Sequence, residues 1–221
     1  MKLIVFSSHD RLLSEPKQVV RMFEHGLETL HLRKPNSSLK DLVEYLELIP
    51  SEYHNRIIIH SHHKLVKKFN LKGVHFSKAH RDKKYNTTLK YLSFRLRFGN
   101  ILITRSCHKI DKLKDNSDRY AYVFLSPMFE SISKKSHSGL FSERHIKKTL
   151  ANTIRKVYAL GGVDESKFKE LNDLGFEGVA LLGAIWDTDQ EPFNAYLSAI
   201  EAMKNLEREK ALDFNAYRNN Y

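Results

Sequence analysis

Short apolar runs alternate with longer amphipathic, charged stretches along the whole chain, the pair recurring roughly every 20 to 30 residues. The apolar runs are "LIVFSS", "TLHLRK", "RIIIHS", "GVHFSK", "NILITRS", "YAYVFLSP", "KVYALGG" and "EGVALLGAI". The stretches that follow them read as helices: "PKQVVRMFEHG", "SLKDLVEYLELI", "HKLVKKFN", "TLKYLSFRLRFG", "IDKLKD", "SERHIKKTLANTI", "DESKFKELNDLG" and "FNAYLSAIEAMKNLEREKAL". Strand followed by helix, eight times over, is the pattern of a parallel sheet with crossover helices. An open doubly wound sheet produces a similar rhythm, but 221 residues and a closing helix favour one α/β domain, a single (β/α)8 TIM barrel. The domain is expected over residues 1–212, with "DFNAYRNNY" at 213–221 as a C-terminal tail beyond the last helix.

Composition narrows the class. A hydrophobic content of 41% is ordinary for a globular protein, and no apolar run approaches the roughly 20 residues of a membrane span. The start "MKLIVFSSHD" turns polar too early for a secretory leader, so a soluble, cytoplasmic protein is expected, away from membranes. One cysteine, Cys107, forms no internal disulfide, which agrees with a reducing compartment. The formal charge of +11 invites a nucleic-acid reading. The basic residues are scattered, however, over "KKFNLK", "RDKK", "RLRF", "SKK" and "HIKK", without a recognition motif, so no nucleic-acid partner is expected. Small anionic molecules suit the same field.

In a barrel of this kind the working residues sit at the carboxyl ends of the strands, and the loops after strands seven and eight often hold phosphate. Those two ends carry Gly161 with Gly162, and Gly183 with Ala184. Glycine lets backbone N–H groups approach an anion, and the helix start at Asp164, Glu165 and Ser166 adds donors if its acidic side chains point away. The same glycines also suit tight turns and close strand–helix packing, and both readings stand. The other strand ends offer His31 and Arg33, two apart and on one face; His60, Ser61 and His62; His75 and Lys78; Arg105, Ser106 and His108; and Ser126 leading into "ESISKKSHSG".

Five segments in order carry a resemblance. "GLETLHLRK" is similar to G-x-x-x-x-Q-L-R-x-K, "LKGVHFSK" to A-D-G-V-H-L-G-Q, "SPMFESISKK" to G-P-V-F-x-T-x-T-K, "YALGGV" to A-I-G-G-I, and "GFEGVALLGAI" to G-A-D-G-V-A-V-x-S-A-I. Together they resemble the thiamine phosphate synthase / TenI family from Lys2 to about Leu212. The resemblance implies a (β/α)8 barrel that holds a thiazole phosphate at the last two strand ends. Gly161, Gly162, Gly183 and Ala184 then form the phosphate subsite, with Gly183 where the family usually has Ser. The synthase branch joins hydroxyethylthiazole phosphate to a pyrimidine methyl diphosphate and releases diphosphate with the help of Mg2+. The TenI branch moves a proton on a thiazole carboxylate phosphate to give the aromatic tautomer.

Departures from the family pattern separate the branches. Mg2+ wants carboxylate oxygens. The family's I-N-D-R falls on Ile59, His60, Ser61 and His62, so its Asp becomes Ser61, and the second Asp falls on His80, two residues before Asp82. The Gln of the second-strand motif becomes His31, Arg33 is retained, and the final Lys falls on Pro35, one place after Lys34. In the loop after strand six the two Thr become Ser131 and Ser133, and Lys134 is retained. By resemblance, His31, His60, Ser106, Ser131 and Ser133 join the substrate site, while Lys34, Lys78, Lys134, His60 and His80 are candidates to offset anionic charge. "RSCH" matches x-S-x-H, which places His108 where TenI-type enzymes keep an acid/base histidine. Imidazole as a class accepts and returns protons near neutrality.

The reading that follows is a TenI-like thiazole tautomerase with a degraded Mg2+–diphosphate subsite. Its catalytic residues are His108, Arg33 and Lys134, its partner is a phosphorylated thiazole, and it needs no cofactor. The alternatives are a divergent thiamine phosphate synthase, which alone would need Mg2+, and a non-catalytic ligand-binding homologue. A zinc site built from "HSH" with His31 and His75 is a further alternative, weakened because "ALLGAIW" lacks the late-strand Asp with which barrel metallohydrolases activate water. "SISKKSHSG" reads as a lid, and a homodimer is expected because barrels of this family commonly pair.

Overall fold

Each of the eight apolar runs supplies one strand in the computed structural model, which describes residues 1–10, 12–76, 87–99, 101–114, 120–129 and 142–219. The strands are β1 Lys2–Phe6, β2 Leu30–Leu32, β3 Ile57–Ile59, β4 Gly73–Phe76, β5 Leu102–Cys107, β6 Tyr122–Leu125, β7 Val157–Leu160 and β8 Gly178–Leu181. Each pairs in parallel with its sequence neighbours, and β8 returns to β1 with Lys2 opposite Gly178 and Val5 opposite Leu181. That last pairing closes the sheet into a barrel in strand order one to eight, which an open doubly wound sheet cannot do. The fold is the expected (β/α)8 barrel.

The returns are α1 Glu15–Glu24, α2 Leu39–Glu47, α3 Leu65–Phe69, α4 Thr87–Phe98, α5 Glu143–Ala151 and α6 Phe168–Leu174, followed after β8 by a short α7 Gly183–Trp186 and a long α8 Pro192–Asn219. Local chemistry sets several ends. Ser38 accepts from the Asp41 amide at 3.2 Å while the Asp41 carboxylate accepts from the Ser38 amide at 2.8 Å, a reciprocal cap that starts α2. Gly175, at φ +95°, stops α6 in the left-handed conformation that spares glycine a Cβ clash. Two stretches depart from the sequence pattern. "IDKLKD" forms only a 3-10 turn, Ile110–Lys114, and α8 continues past Leu212 through Asn219, so the expected tail begins inside a helix. Among the described residues no helix is long and apolar enough to cross a membrane.

Alternation along the strands sorts the core into two shells. Leu30, Leu32, Ile57, Ile59, Val74, Ile103, Val123, Leu125 and Val179 face the helices in the larger cluster. Ile4, Phe6, Ile58, Tyr122, Phe124, Tyr158 and Ala180 form a separate cluster inside the barrel. At about 2 kcal/mol for each fully buried aliphatic side chain, the outer shell supplies most of the stabilisation. The inner shell can then hold polar groups, provided each finds a hydrogen bond. It does so on one side: His31 of β2, His60 at the end of β3, His75 of β4 and Thr104 of β5 are all buried.

Candidate functional site

A cavity of roughly 790 Å3 opens at the carboxyl ends of the strands. Its walls come from Phe6 at the end of β1 and His9 beyond it, Arg33 after β2, Ser126 after β6, residues 160–165 from the end of β7 onward, and Gly183, Ala184 and Asp187 after β8. The glycine pair is held by two independent constraints. Gly161 and Gly162 have φ of +93° and +65°, and a Cβ on Gly161 would sit 3.0 Å from both Cα and Cβ of Pro127. The loop after β6 is also laced to this turn, because the Met128 amide donates to the Leu160 carbonyl at 3.0 Å and the Phe129 amide to the Gly161 carbonyl at 3.1 Å. Close packing therefore accounts for part of the bare backbone, while both glycines still line the cavity.

Charge in the cavity is mixed. Asp164 turns its carboxylate onto its own turn, accepting from the Ser166 amide at 2.9 Å and the Ser166 hydroxyl at 2.6 Å. Asp187 stays: its Oδ2 lies 3.1 Å from the place a Gly183 Cβ would occupy. Arg33 supplies the cation. Its backbone is fixed by Ser7, whose hydroxyl accepts from the Arg33 amide at 2.8 Å and donates to the Arg33 carbonyl at 3.1 Å. Its guanidinium donates to His9 Nε2, and burial together with that guanidinium holds the His9 imidazole below its usual value.

Beneath the cavity, Phe6 stacks on His31 at 4.8 Å between centroids, and the histidines continue from there into the barrel. His31 Nδ1 lies 2.9 Å from His60 Nε2, and His31 Nε2 lies 2.6 Å from the Tyr122 hydroxyl. His60 and His75 stack at 4.1 Å. His75 Nδ1 is 2.9 Å from Thr104 Oγ1, and Ser106 Oγ is 3.3 Å from His75 Nε2. Burial, reinforced by His75, holds the imidazoles of His31 and His60 well below the usual histidine value, so both are neutral at pH 7. His108, at the end of β5, is exposed, and its Nδ1–H donates to the Ser126 carbonyl at 2.7 Å. That bond fixes the tautomer and leaves Nε2 as the basic nitrogen beside a residue of the cavity wall.

With this geometry in place, comparison with known proteins is specific. A family model described as thiamine monophosphate synthase matches residues 3–185. The chain belongs to the thiamine monophosphate synthase family. A thiamine-phosphate synthase of Limosilactobacillus reuteri is 22% identical over 206 residues, covering 90% of each chain. The crystal structure of a thiamine phosphate pyrophosphorylase from Bacteroides thetaiotaomicron superimposes with a TM-score of 0.72 at 29% identity, over 94% of this chain and 98% of that one. A thiamine phosphate pyrophosphorylase from Pyrococcus furiosus gives a TM-score of 0.72 at 16% identity, over 93% and 96%, a likeness of fold.

Among the residues that the thiamine monophosphate synthase motifs single out, Arg33, Gly161, Gly162, Gly183 and Ala184 meet at the cavity. His31 and His60 lie in the barrel interior and Ser106 is half-buried beside His75, so these three gather around one another and not along the cavity wall. Lys34, a candidate to offset substrate charge, is turned away. Its ammonium is buried against Glu15 and donates to the carbonyls of Ser8 at 2.8 Å and Asp10 at 2.7 Å. Of the "HSH" trio, His60 joins the interior cluster, whereas His62 is exposed at φ +48°. Ser131, Ser133, Lys134, Lys78, His80 and Asp82 lie outside the described residues. His9 and Asp187 were missed from sequence; "SSHD" directly after the first apolar run is a strand end like the others and carried the available signal for His9.

Proposed function

We propose that this member of the family binds a phosphorylated thiazole in the cavity and acts as a TenI-like thiazole tautomerase. The observation that carries the reading is the anchoring of His108, whose Nδ1–H donates to the carbonyl of Ser126, a residue of the cavity wall, and whose Nε2 is left to accept a proton, although His108 itself is not among the lining residues. In the proposed step Nε2 takes a proton from the thiazole ring and the imidazolium returns it to a second ring position, so that the charge on His108 is restored. Arg33, Gly161, Gly162, Gly183 and Ala184 hold the phosphate, the glycines through backbone N–H groups and Arg33 through its guanidinium. The first N–H groups of α7, at Gly183 and Ala184, have no acceptor within their helix. Asp187 opposes a dianion and is offset by Arg33.

Mg2+, which a synthase would use, fits the described residues poorly. Where the family pattern has its first metal-binding Asp stands Ser61, and the neighbouring side chains His60 and His75 are imidazoles, not the oxygen donors this hard ion prefers. A second reading, a divergent thiamine phosphate synthase, draws support from the names of the relatives above.

One experiment separates the readings. The purified protein is given the thiazole carboxylate phosphate, and separately hydroxyethylthiazole phosphate with the pyrimidine methyl diphosphate, each with and without Mg2+. The expected result is tautomer turnover that needs no Mg2+ and falls at least about 100-fold in His108→Ala. Mg2+-dependent release of diphosphate would establish the synthase reading instead, and thiazole phosphate binding without turnover of either kind would leave a ligand-binding protein. Undiminished tautomerase turnover in His108→Ala would overturn the mechanism.

A further inference from the structure

Barrel interiors are ordinarily packed with branched aliphatic side chains. Here three imidazoles meet instead, from β2, from the residue just past β3 and from β4, and the proposed tautomerisation uses none of them. We infer that His31, His60 and His75 form a binding site for a divalent transition-metal ion of the zinc class.

Geometry comes first. One ligand nitrogen from each ring can be chosen such that all three lie within 4.8 Å of one another. Tetrahedral bonds of about 2.1 Å set such nitrogens about 3.4 Å apart. The pair at 2.9 Å, His31 Nδ1 and His60 Nε2, must open by about half an ångström. The widest separation, at most 4.8 Å, must close by up to about 1.4 Å.

The outer contacts already aim the rings. The Tyr122 hydroxyl holds His31 Nε2 and Thr104 Oγ1 holds His75 Nδ1, which leaves His31 Nδ1 and His75 Nε2 for the ion, the latter once the Ser106 hydroxyl at 3.3 Å gives way. Ligating histidines are held in this manner, with the second ring nitrogen bonded to a fixed neighbour. Burial supplies the chemistry: His31 is 0%, His75 3% and His60 9% exposed, and the neutral imidazole such surroundings favour is the form that binds metal.

The donor set also selects the ion. Three neutral nitrogens without a carboxylate suit Zn2+, Co2+, Ni2+ or Cu2+ and reject Mg2+ and Ca2+. Glu15, the one fully buried carboxylate among the described residues, is committed to Lys34. Three protein ligands leave a fourth position for water or hydroxide, and the latter would offset part of the ion's charge. The inference does not depend on which ligand fills the cavity above Phe6.

The test uses the full chain without a polyhistidine tag, stripped with a chelator and titrated with Co2+. The expected result is a set of visible ligand-field bands of four-coordinate intensity that saturates at one equivalent, is displaced by Zn2+ and is indifferent to excess Mg2+. His60→Gln and His75→Gln should each weaken Co2+ binding at least 100-fold, while His62→Gln, at the exposed neighbour, leaves it unchanged. Absence of saturable binding in the wild type overturns the inference, as does wild-type affinity in both interior variants or loss of binding in His62→Gln. If an interior variant fails to fold, the wild type decides: Zn2+ should raise the Tm of the stripped protein, and no rise together with no cobalt spectrum refutes the site.

Discussion

Lys34→Met should cost this barrel about 3–5 kcal/mol, although Lys34 touches nothing in the cavity. The magnitude follows from what the ammonium neutralises. The Glu15 side chain is 0% exposed and that of Lys34 6%, and the carboxylate's partners are Lys34, the Tyr45 hydroxyl at 3.0 Å and the Ser8 backbone. Removing the lysine strands a buried charge and also vacates the carbonyls of Ser8 and Asp10. For a domain of this size the loss corresponds to a fall in Tm on the order of 10 °C. The pair itself contributes little net stability, because burial raises the Glu15 carboxyl above its usual value more than Lys34 and Tyr45 lower it. The double variant Glu15→Gln/Lys34→Met should therefore recover to within about 1 kcal/mol of the wild type. Urea unfolding of the wild type, the single variants Glu15→Gln and Lys34→Met, and the double variant measures both terms and their coupling. The sign with pH is fixed as well. A carboxyl whose folded value is raised contributes stability that is fully present below about 4.5 and is lost as pH rises through the raised value, so the wild type should lose ground to the double variant over that window. A loss below about 1 kcal/mol in Lys34→Met, or a double variant as unstable as the single one, would refute the reasoning.

If the cavity holds the proposed thiazole phosphate, Arg33→Met should leave the unfolding midpoint nearly unchanged and weaken its binding by about 10- to 100-fold in calorimetry, since one charge-assisted contact would be removed. Asp187→Asn should strengthen the same binding by about five- to tenfold, because a carboxylate beside Gly183 no longer repels the phosphate. Gly161→Ala should destabilise by about 2 kcal/mol in urea, combining positive φ with contact at 3.0 Å to Pro127, whereas Gly26→Ala, at φ +93° with open space around it, should lose only about 1 kcal/mol.

The fold was legible because every strand carries its own apolar run and every described return its own amphipathic pattern, so eight local readings sum to one topology. What escaped was whatever depends on meetings between distant segments. "IDKLKD" has helical residues, but Ile110–Lys114 form a 3-10 turn. The placement of Lys34 needs Glu15 from α1 and Tyr45 from α2, which no local pattern brings together. Asp187 stands beside Gly183 only once α7 has turned. The histidines were visible as strand-end residues, and their spacing put His31 and Arg33 two apart along the chain. Alternation alone does not say how deep a residue lies, and depth is what separates Arg33 at the cavity from His31 inside the barrel.

The indole of Trp186 donates to the Phe6 carbonyl at 2.6 Å, joining the segment after the last strand to the end of the first. Trp186 is the only tryptophan of the chain. The single indole of the chain thus lies on the seam where the cylinder shuts, next to the Gly183 turn. Its emission maximum reads whether that seam is sealed, and rapid-mixing traces at the same wavelength follow a ligand's arrival without any attached dye.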